Sequence, residues 1–241
     1  MVRTVDHTER KNRVLAEAVT SYIATGEPVS SQELALKFNL SSATLRNILA
    51  ELEEEGYLMS LHTSSGRVPT DKGYRYYVDF LMGAQTLAPQ QQQAIEEFYR
   101  GNKLSLEEVL DKTSDIVANL THYTAVVSFS EWEDKIFYHG LSNIFAHPEF
   151  HNVEKLAILV QLLEEKKKLL ELLRQHAQDV CKVYIGEEIA CPGISDVCSL
   201  VVSPYRAGSI AVLGPRRMCY GLTVSTLEYI SEILDSILED L

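Results

Sequence analysis

The sequence predicts an α+β protein: an N-terminal winged helix-turn-helix, then a second half in which helices and strands mix. Residues 41–79, SSATLRNILAELEEEGYLMSLHTSSGRVPTDKGYRYYVD, read as a helix, a short strand, a polar turn with a single arginine, and a second helix. Two amphipathic helical stretches precede that segment, which completes a three-helix unit with a wing. Beyond residue 120, β-rich runs and helical patterns are interspersed, which is the signature of an α+β domain.

Residues 6–24 form the first helix. Asp6 and Glu9 have capping-box spacing, and Leu15, Val19, Tyr22 and Ile23 share a face. Gly26 stops the helix and Pro28 sets an extended link. Ser30 and Glu33 make a capping box for a short second helix that ends near Phe38. After the turn Asn39-Leu40, Ser41 or Ser42 caps a third helix. Its residues Leu45, Ile48, Leu49 and Leu52 lie on one face, and Ala43, Arg46, Asn47 and Ala50 on the other.

The second of these faces has the chemistry of a recognition helix. Small residues allow close approach to a groove, and Arg and Asn are the side chains that bond bidentately to guanine and adenine edges. Gly56 ends the third helix, Tyr57–His62 reads as a strand, and Thr63-Ser64-Ser65-Gly66 as a polar turn followed by Arg67. Pro69 places the return strand at an edge. Thr70 caps a fourth helix with Tyr74, Tyr77, Val78 and Leu81 on its buried face. The aromatic run Tyr74, Tyr76, Tyr77 falls at helical spacing and reads as core packing rather than as a base-stacking platform.

Residues 83–92, GAQTLAPQQQ, read as a linker broken by Pro89. Helical stretches follow near 93–100 and 105–120. Thr121–Ser130, Lys135–His139, Val180–Ile185, Ser199–Ser203 and Gly208–Leu213 read as strands. Residues 152–177 form a long helical pattern with a break. Thr223–Leu241 is a final amphipathic helix with Leu227, Ile230, Leu234 and Ile237 on one side.

The chain has 241 residues, 46% hydrophobic, and a formal net charge of −12. That balance argues against nucleic acid, but it is uneven. Residues 1–80 carry 9 Lys/Arg against 11 Asp/Glu, and the remainder 13 against 23. Glu51, Glu53, Glu54, Glu55 and Asp79 cluster away from the expected reading surface. No window approaches the roughly 18 apolar residues of a membrane span, and the N-terminus lacks an apolar signal, so a cytoplasmic protein is expected. Cys181, Cys191, Cys198 and Cys219 lack zinc spacing and are expected as reduced, buried thiols.

Catalytic motifs are missing: no G-x-S-x-G, HExxH, Walker loop or dinucleotide fingerprint occurs. Neither an enzyme nor a cofactor is expected. His139, His147 and His151 are the closest histidines, and Pro148 interrupts them, which makes a poor metal set. GPRRM (214–218) reads as an edge turn after a strand, with anion binding as the alternative.

Three stretches resemble one family. GEPVSSQELA, SSATLRNILAELEEEGYL and HTSSGRVPTDKGYRYYVD are similar to the N-terminal domain of the bacterial heat-inducible transcription repressor HrcA. GLSNIFAHPEFHNVEKL (140–156) and DVCSLVVSPY with IAVLGPRRMCY (196–220) resemble the GAF-like C-terminal half of the same family. Members of that family are longer. The missing part falls between HYTAVVSFS and KIFYHGLSN, where they carry further strands and an inserted dimerisation domain. Only Glu131 to Asp134 separate those stretches here.

The resemblance implies a winged-helix DNA-binding domain over 1–82, a helical linker over 83–120 and a GAF-like regulatory domain over 121–241. It also implies repression of chaperone genes at an inverted-repeat operator on double-stranded DNA. A homodimer and a GroEL-type chaperonin would be the protein partners, with no membrane involved. By matched position, Ser42, Ala43, Thr44, Arg46 and Asn47 of the helix would face DNA, joined by His62, Thr63, Ser64, Gly66 and Arg67 of the wing. Two other readings fit the residues: a C-terminal half that senses a small metabolite, or an adaptor for protein partners that retains an idle winged helix. With 152–177 or the final helix as the only evident dimer faces, the loss of the insertion leaves the interface open.

Overall fold

The computed structural model describes residues 2–60, 66–100, 104–132 and 135–239, with side chains from His7 onward. The chain divides into two compact units, Met1–Ala84 and Gln85–Leu241.

The first unit is a winged helix-turn-helix. Helix α1 (Val2–Thr25) starts ahead of the expected position, so Asp6 lies inside it rather than at its cap. Its buried stripe is Val14, Leu15, Ala18 and Val19, while Tyr22 and Ile23 are only half-buried. Helix α2 (Ser31–Phe38) is capped by Ser30, whose hydroxyl accepts from the Glu33 N–H at 3.2 Å, and it ends on Asn39 in the left-handed region. The Glu33 carboxylate turns to Lys37 at 3.9 Å.

Helix α3 (Ser42–Glu54) starts on Ser41, whose side chain accepts from the Thr44 N–H at 3.0 Å. Leu45, Ile48, Leu49 and Leu52 are all buried, as the helical period requires. Gly56, at φ +76°, turns the chain into β1 (Leu58–Ser60), which pairs antiparallel with β2 (Arg67–Pro69). The extended link set by Pro28 adds a third rung: Val29 and Arg67 exchange two backbone hydrogen bonds of 2.9 Å. Helix α4 (Asp71–Tyr76) is capped by Thr70 and continues as a π-turn over Tyr77–Leu81. Tyr74 and Tyr77 are in the core, and Tyr76 is half-buried between the Tyr57 and Phe80 rings.

The second unit is a five-stranded antiparallel sheet with helices on both faces. Its strands are β3 (Thr124–Phe129), β4 (Ile136–His139), β5 (Lys182–Ile185), β6 (Cys198–Tyr205) and β7 (Gly208–Pro215), in the order β4-β3-β7-β6-β5. Helices α6 (Leu106–Thr121) and α9 (Tyr220–Glu239) pack on one face, where Ser231 donates to Ser203 at 3.0 Å. On the other face α7 (Val153–Glu164), α8 (Lys166–His176) and short 3-10 turns close over Val126, Leu200, Val202, Ala211 and Leu213. Cover on both sides explains why TAVVSF in β3 reads as a continuous apolar run with no alternation.

Three details differ from expectation. Pro89 starts helix α5 (Pro89–Tyr99) rather than breaking a linker, since its missing N–H costs nothing in a first turn. Residues 85–120 belong to the second unit instead of forming a separate helical linker, with Val109, Leu110, Val117 and Ala118 buried there. Cys219 is exposed, although the thiol was expected to be buried; Cys191 and Cys198 are buried as expected, and burial pushes the Cys198 thiol up to about 12. No helix is long and apolar enough to cross a membrane among the described residues.

Candidate nucleic-acid interface

The outward face of α3 is built by its inward one. With Leu45, Ile48, Leu49 and Leu52 fixed in the core, Ala43, Arg46 and Asn47 are turned to solvent. Thr44 is half-buried, its hydroxyl 2.8 Å from that of Ser41. Ser42, also half-buried, sits 3.2 Å hydroxyl-to-hydroxyl from Ser31 of α2.

The charges of this unit are mostly engaged. Lys11 pairs with Glu55, Lys37 with Glu17, Arg67 with Glu53 and Arg75 with Asp79. Arg13 lies over the Phe38 ring, Lys72 over that of Tyr57, and Arg10 is engaged as well. Among the described lysine and arginine side chains of the unit, Arg46 alone has no hydrogen bond, ion pair or ring contact. Holding an unpaired guanidinium at a defined place on a rigid helix is what recognition of an outside partner requires.

Glu53 organises the base of the wing. One oxygen accepts from the Ser60 N–H at 3.1 Å, at the end of β1, and the other from the Arg67 Nε at 2.8 Å, at the start of β2. Hydrogen bonding from Ser60 and the Arg67 guanidinium hold its carboxyl below the usual carboxylate range. A depressed value means that this anchor is complete above the ordinary carboxylate range and is lost as pH falls below it. Glu53→Gln is therefore expected to lower stability near neutrality, where the anchor is complete, and to change it little at acid pH, so that the acid limb flattens, as read by urea titrations at a series of pH values. An unchanged acid limb would remove Glu53 as the wing's anchor.

The sequence reading groups Gly66 with the DNA-facing wing residues; the structure buries it. A Cβ there would lie 2.6 Å from the Pro28 Cβ and 2.8 Å from its carbonyl oxygen, so the residue lets β2 approach the α1–α2 link. Arg67 is half-buried beside it. His62, Thr63 and Ser64 lie outside the described residues.

The structure brings Arg46 and Arg67 together in a cleft of about 310 Å³, whose walls also include Ser30, Ser31, Gln32 and Leu49. The three residues of α2 and its cap were not among the sequence-derived candidates. Their S-x-x-E pattern signals a helix start and says nothing of what packs opposite.

In the second unit the basic turn singled out in the sequence is engaged internally. The Arg216 guanidinium donates to the Ser195 carbonyl oxygen at 2.8 Å and Arg217 pairs with Glu149, so the GPRRM turn is tied down. His139 meets the Ser114 hydroxyl at 2.7 Å, His147 stacks on Tyr123, and His151 lies by the Phe145 carbonyl. No group of three or more His, Cys, Asp or Glu is placed to hold a metal among the described residues.

Residues 128–224 match the family described as the HrcA protein C terminal domain. Over 337 aligned positions the chain is 30% identical to the heat-inducible transcription repressor HrcA of Pelotomaculum thermopropionicum, covering 96% of this chain and 97% of that one. The protein of the same name from Carboxydothermus hydrogenoformans is 31% identical over 335 positions, covering 95% and 98%. Alignments longer than the 241 residues of this chain place segments of both relatives opposite gaps here. A crystal structure of a protein described only as hypothetical superposes with a TM-score of 0.80 at 20% identity, covering 94% of this chain and 97% of that one. With relatives at this identity along nearly their whole length, the chain belongs to the heat-inducible transcription repressor HrcA family, whose members are transcriptional regulators and not enzymes.

Proposed function

We propose that this protein represses chaperone genes by binding an inverted-repeat operator as a homodimer, with α3 in the major groove and the wing alongside. The observation that carries the reading is Arg46: an exposed guanidinium without a partner on the outward face of α3, next to the exposed Asn47. A guanidinium can bond a strand phosphate or a guanine edge, and a carboxamide can bond an adenine edge. Ser42, Ala43, Thr44 and the wing residues His62, Thr63, Ser64 and Arg67 complete the DNA-facing set, with Gly66 shaping the wing. The relatives are heat-inducible repressors by name, which supports heat-shock genes as the targets. A GroEL-type chaperonin is the partner expected to set the active fraction, in the cytoplasm.

Reading a palindrome takes two copies of α3 at a fixed spacing. Of the two helices that could supply a dimer face, α9 buries Leu227, Ile230 and Leu234 within its own unit. Helix α7 leaves Val153 77% and Ile158 36% exposed, which favours it.

The test is binding to the inverted repeat against a scrambled duplex at fixed, near-physiological salt, with and without chaperonin. Preference for the repeat supports the repressor reading, and a gain with chaperonin supports the partner. No preference in either condition sinks it. Since the unit's basic side chains are nearly all engaged internally, non-specific affinity is expected to be weak and the salt slope shallow. A slope near −9, equivalent to about ten phosphates neutralised, would contradict this.

A further inference from the structure

We infer that the cleft between α2, α3 and β2 seats one phosphodiester of the DNA strand, and that Arg46 binds this phosphate rather than a base edge. The inference rests on the operator-binding reading above and divides the roles within it.

The walls of the cleft are suited to an oxyanion. Ser30, Ser31, Gln32, Arg46 and Arg67 each carry a hydrogen-bond donor, and neither arginine can accept. A base edge in the major groove offers a pattern of donors and acceptors on a flat rim, and it is met by a side chain that projects outward. Arg46 instead borders a concavity whose far wall is the start of α2, the element that runs beside the strand in this class of fold.

The charge also matches. The Arg67 guanidinium is offset by Glu53 at 2.8 Å, whereas Arg46 has no partner among the described residues. The cleft therefore presents close to one net positive charge, and a phosphodiester carries one negative charge. Leu49, buried in the core, contributes an apolar part of the lining. The Ser31–Ser42 hydroxyl contact joins the beginnings of α2 and α3 beside the cleft. Asn47 and Ala43, exposed and outside the cleft, remain for the base edges.

The experiment is a salt series on operator and scrambled duplexes with the wild-type chain, Arg46→Ala, Gln32→Ala and Asn47→Ala. Arg46→Ala is expected to weaken both duplexes by the same factor, leave their ratio unchanged, and reduce the salt slope by about one per bound protomer. Gln32→Ala should weaken both duplexes equally and to a smaller degree with the slope unchanged, since a carboxamide neutralises no phosphate charge, and Asn47→Ala should lower the ratio instead. A fall of tenfold or more in the ratio for Arg46→Ala would make it a base reader and overturn the proposal. If the wild type binds DNA without preferring the operator, the operator reading fails while the slope change still decides the cleft. Binding to neither duplex at low salt overturns both. The amide resonances of Ser31 and Gln32 should shift with duplex and not with inorganic phosphate at equal ionic strength; a shift with the free ion alone overturns the assignment to a strand phosphate.

Discussion

Gly73→Ala is expected to destabilise the N-terminal unit by about 3 kcal/mol, the upper end of overpacking penalties. A Cβ at this position would lie 2.1 Å from the Tyr57 carbonyl oxygen and 3.1 Å from its carbonyl carbon. Those are backbone atoms, so no rotamer change relieves the clash. The segment cannot retreat either. The same carbonyl accepts from the Thr70 N–H at 3.1 Å, and the Thr70 hydroxyl donates to Gly56 at 2.6 Å while capping Gly73. Either α4 or the turn at Gly56 has to shift, and both flank the wing. Against a total stability of about 5–15 kcal/mol, this is a large fraction. Urea denaturation of the full chain followed by circular dichroism reads it as a lowered midpoint for the unit's helices. A midpoint within error of wild type would mean that the approach of Gly73 to Tyr57 is looser than described.

Arg46→Ala is expected to have the opposite profile: no change in stability and a large loss in DNA affinity. The side chain is exposed and engages nothing in its own unit, so its removal breaks no internal contact. Hydrogen bonds to charged groups contribute about 1.5–3 kcal/mol each, roughly ten- to hundredfold in affinity. Bound as the proposed homodimer, the protein loses this once per half-site, so the combined effect on operator affinity is on the order of a hundred- to ten-thousandfold. Fluorescence anisotropy with labelled operator measures it, and thermal melting provides the control. Unchanged affinity would remove α3's outward face from the interface.

What the sequence shows and hides follows from distance along the chain. The two faces of α3 are legible because the period that buries Leu45 and Ile48 also exposes Arg46 and Asn47. Caps at Ser30, Ser41 and Thr70 are legible because each acts within three residues. Glu53 looks like one acid of a solvated run, and only the return of β2 brings Arg67 to it. Gly66 sits in a polar turn, and its tight fit against Pro28 depends on an extended link 38 positions back closing on it. The cleft is invisible for the same reason, since its walls come from three separate elements. In the second unit, cover on both faces removes the alternation that fixes strand ends. The strands are recognisable, but β6 extends to Tyr205 and β7 to Pro215, further than the sequence suggests.

The pairing of β3 with β7 has a consequence for how the chain comes into being. Ser128 and Ser209 are partners in the register and lie 81 positions apart. At roughly 5–20 residues per second, a ribosome takes on the order of ten seconds to deliver the second after the first. Throughout that interval β3, all of whose residues are buried in the finished sheet, has β4 on one side and an open edge on the other. An apolar strand with an open edge is the kind of surface on which nascent chains aggregate. The sheet closes only once β7 has been made, and the yield of folded chain is expected to depend on how that open edge fares until then.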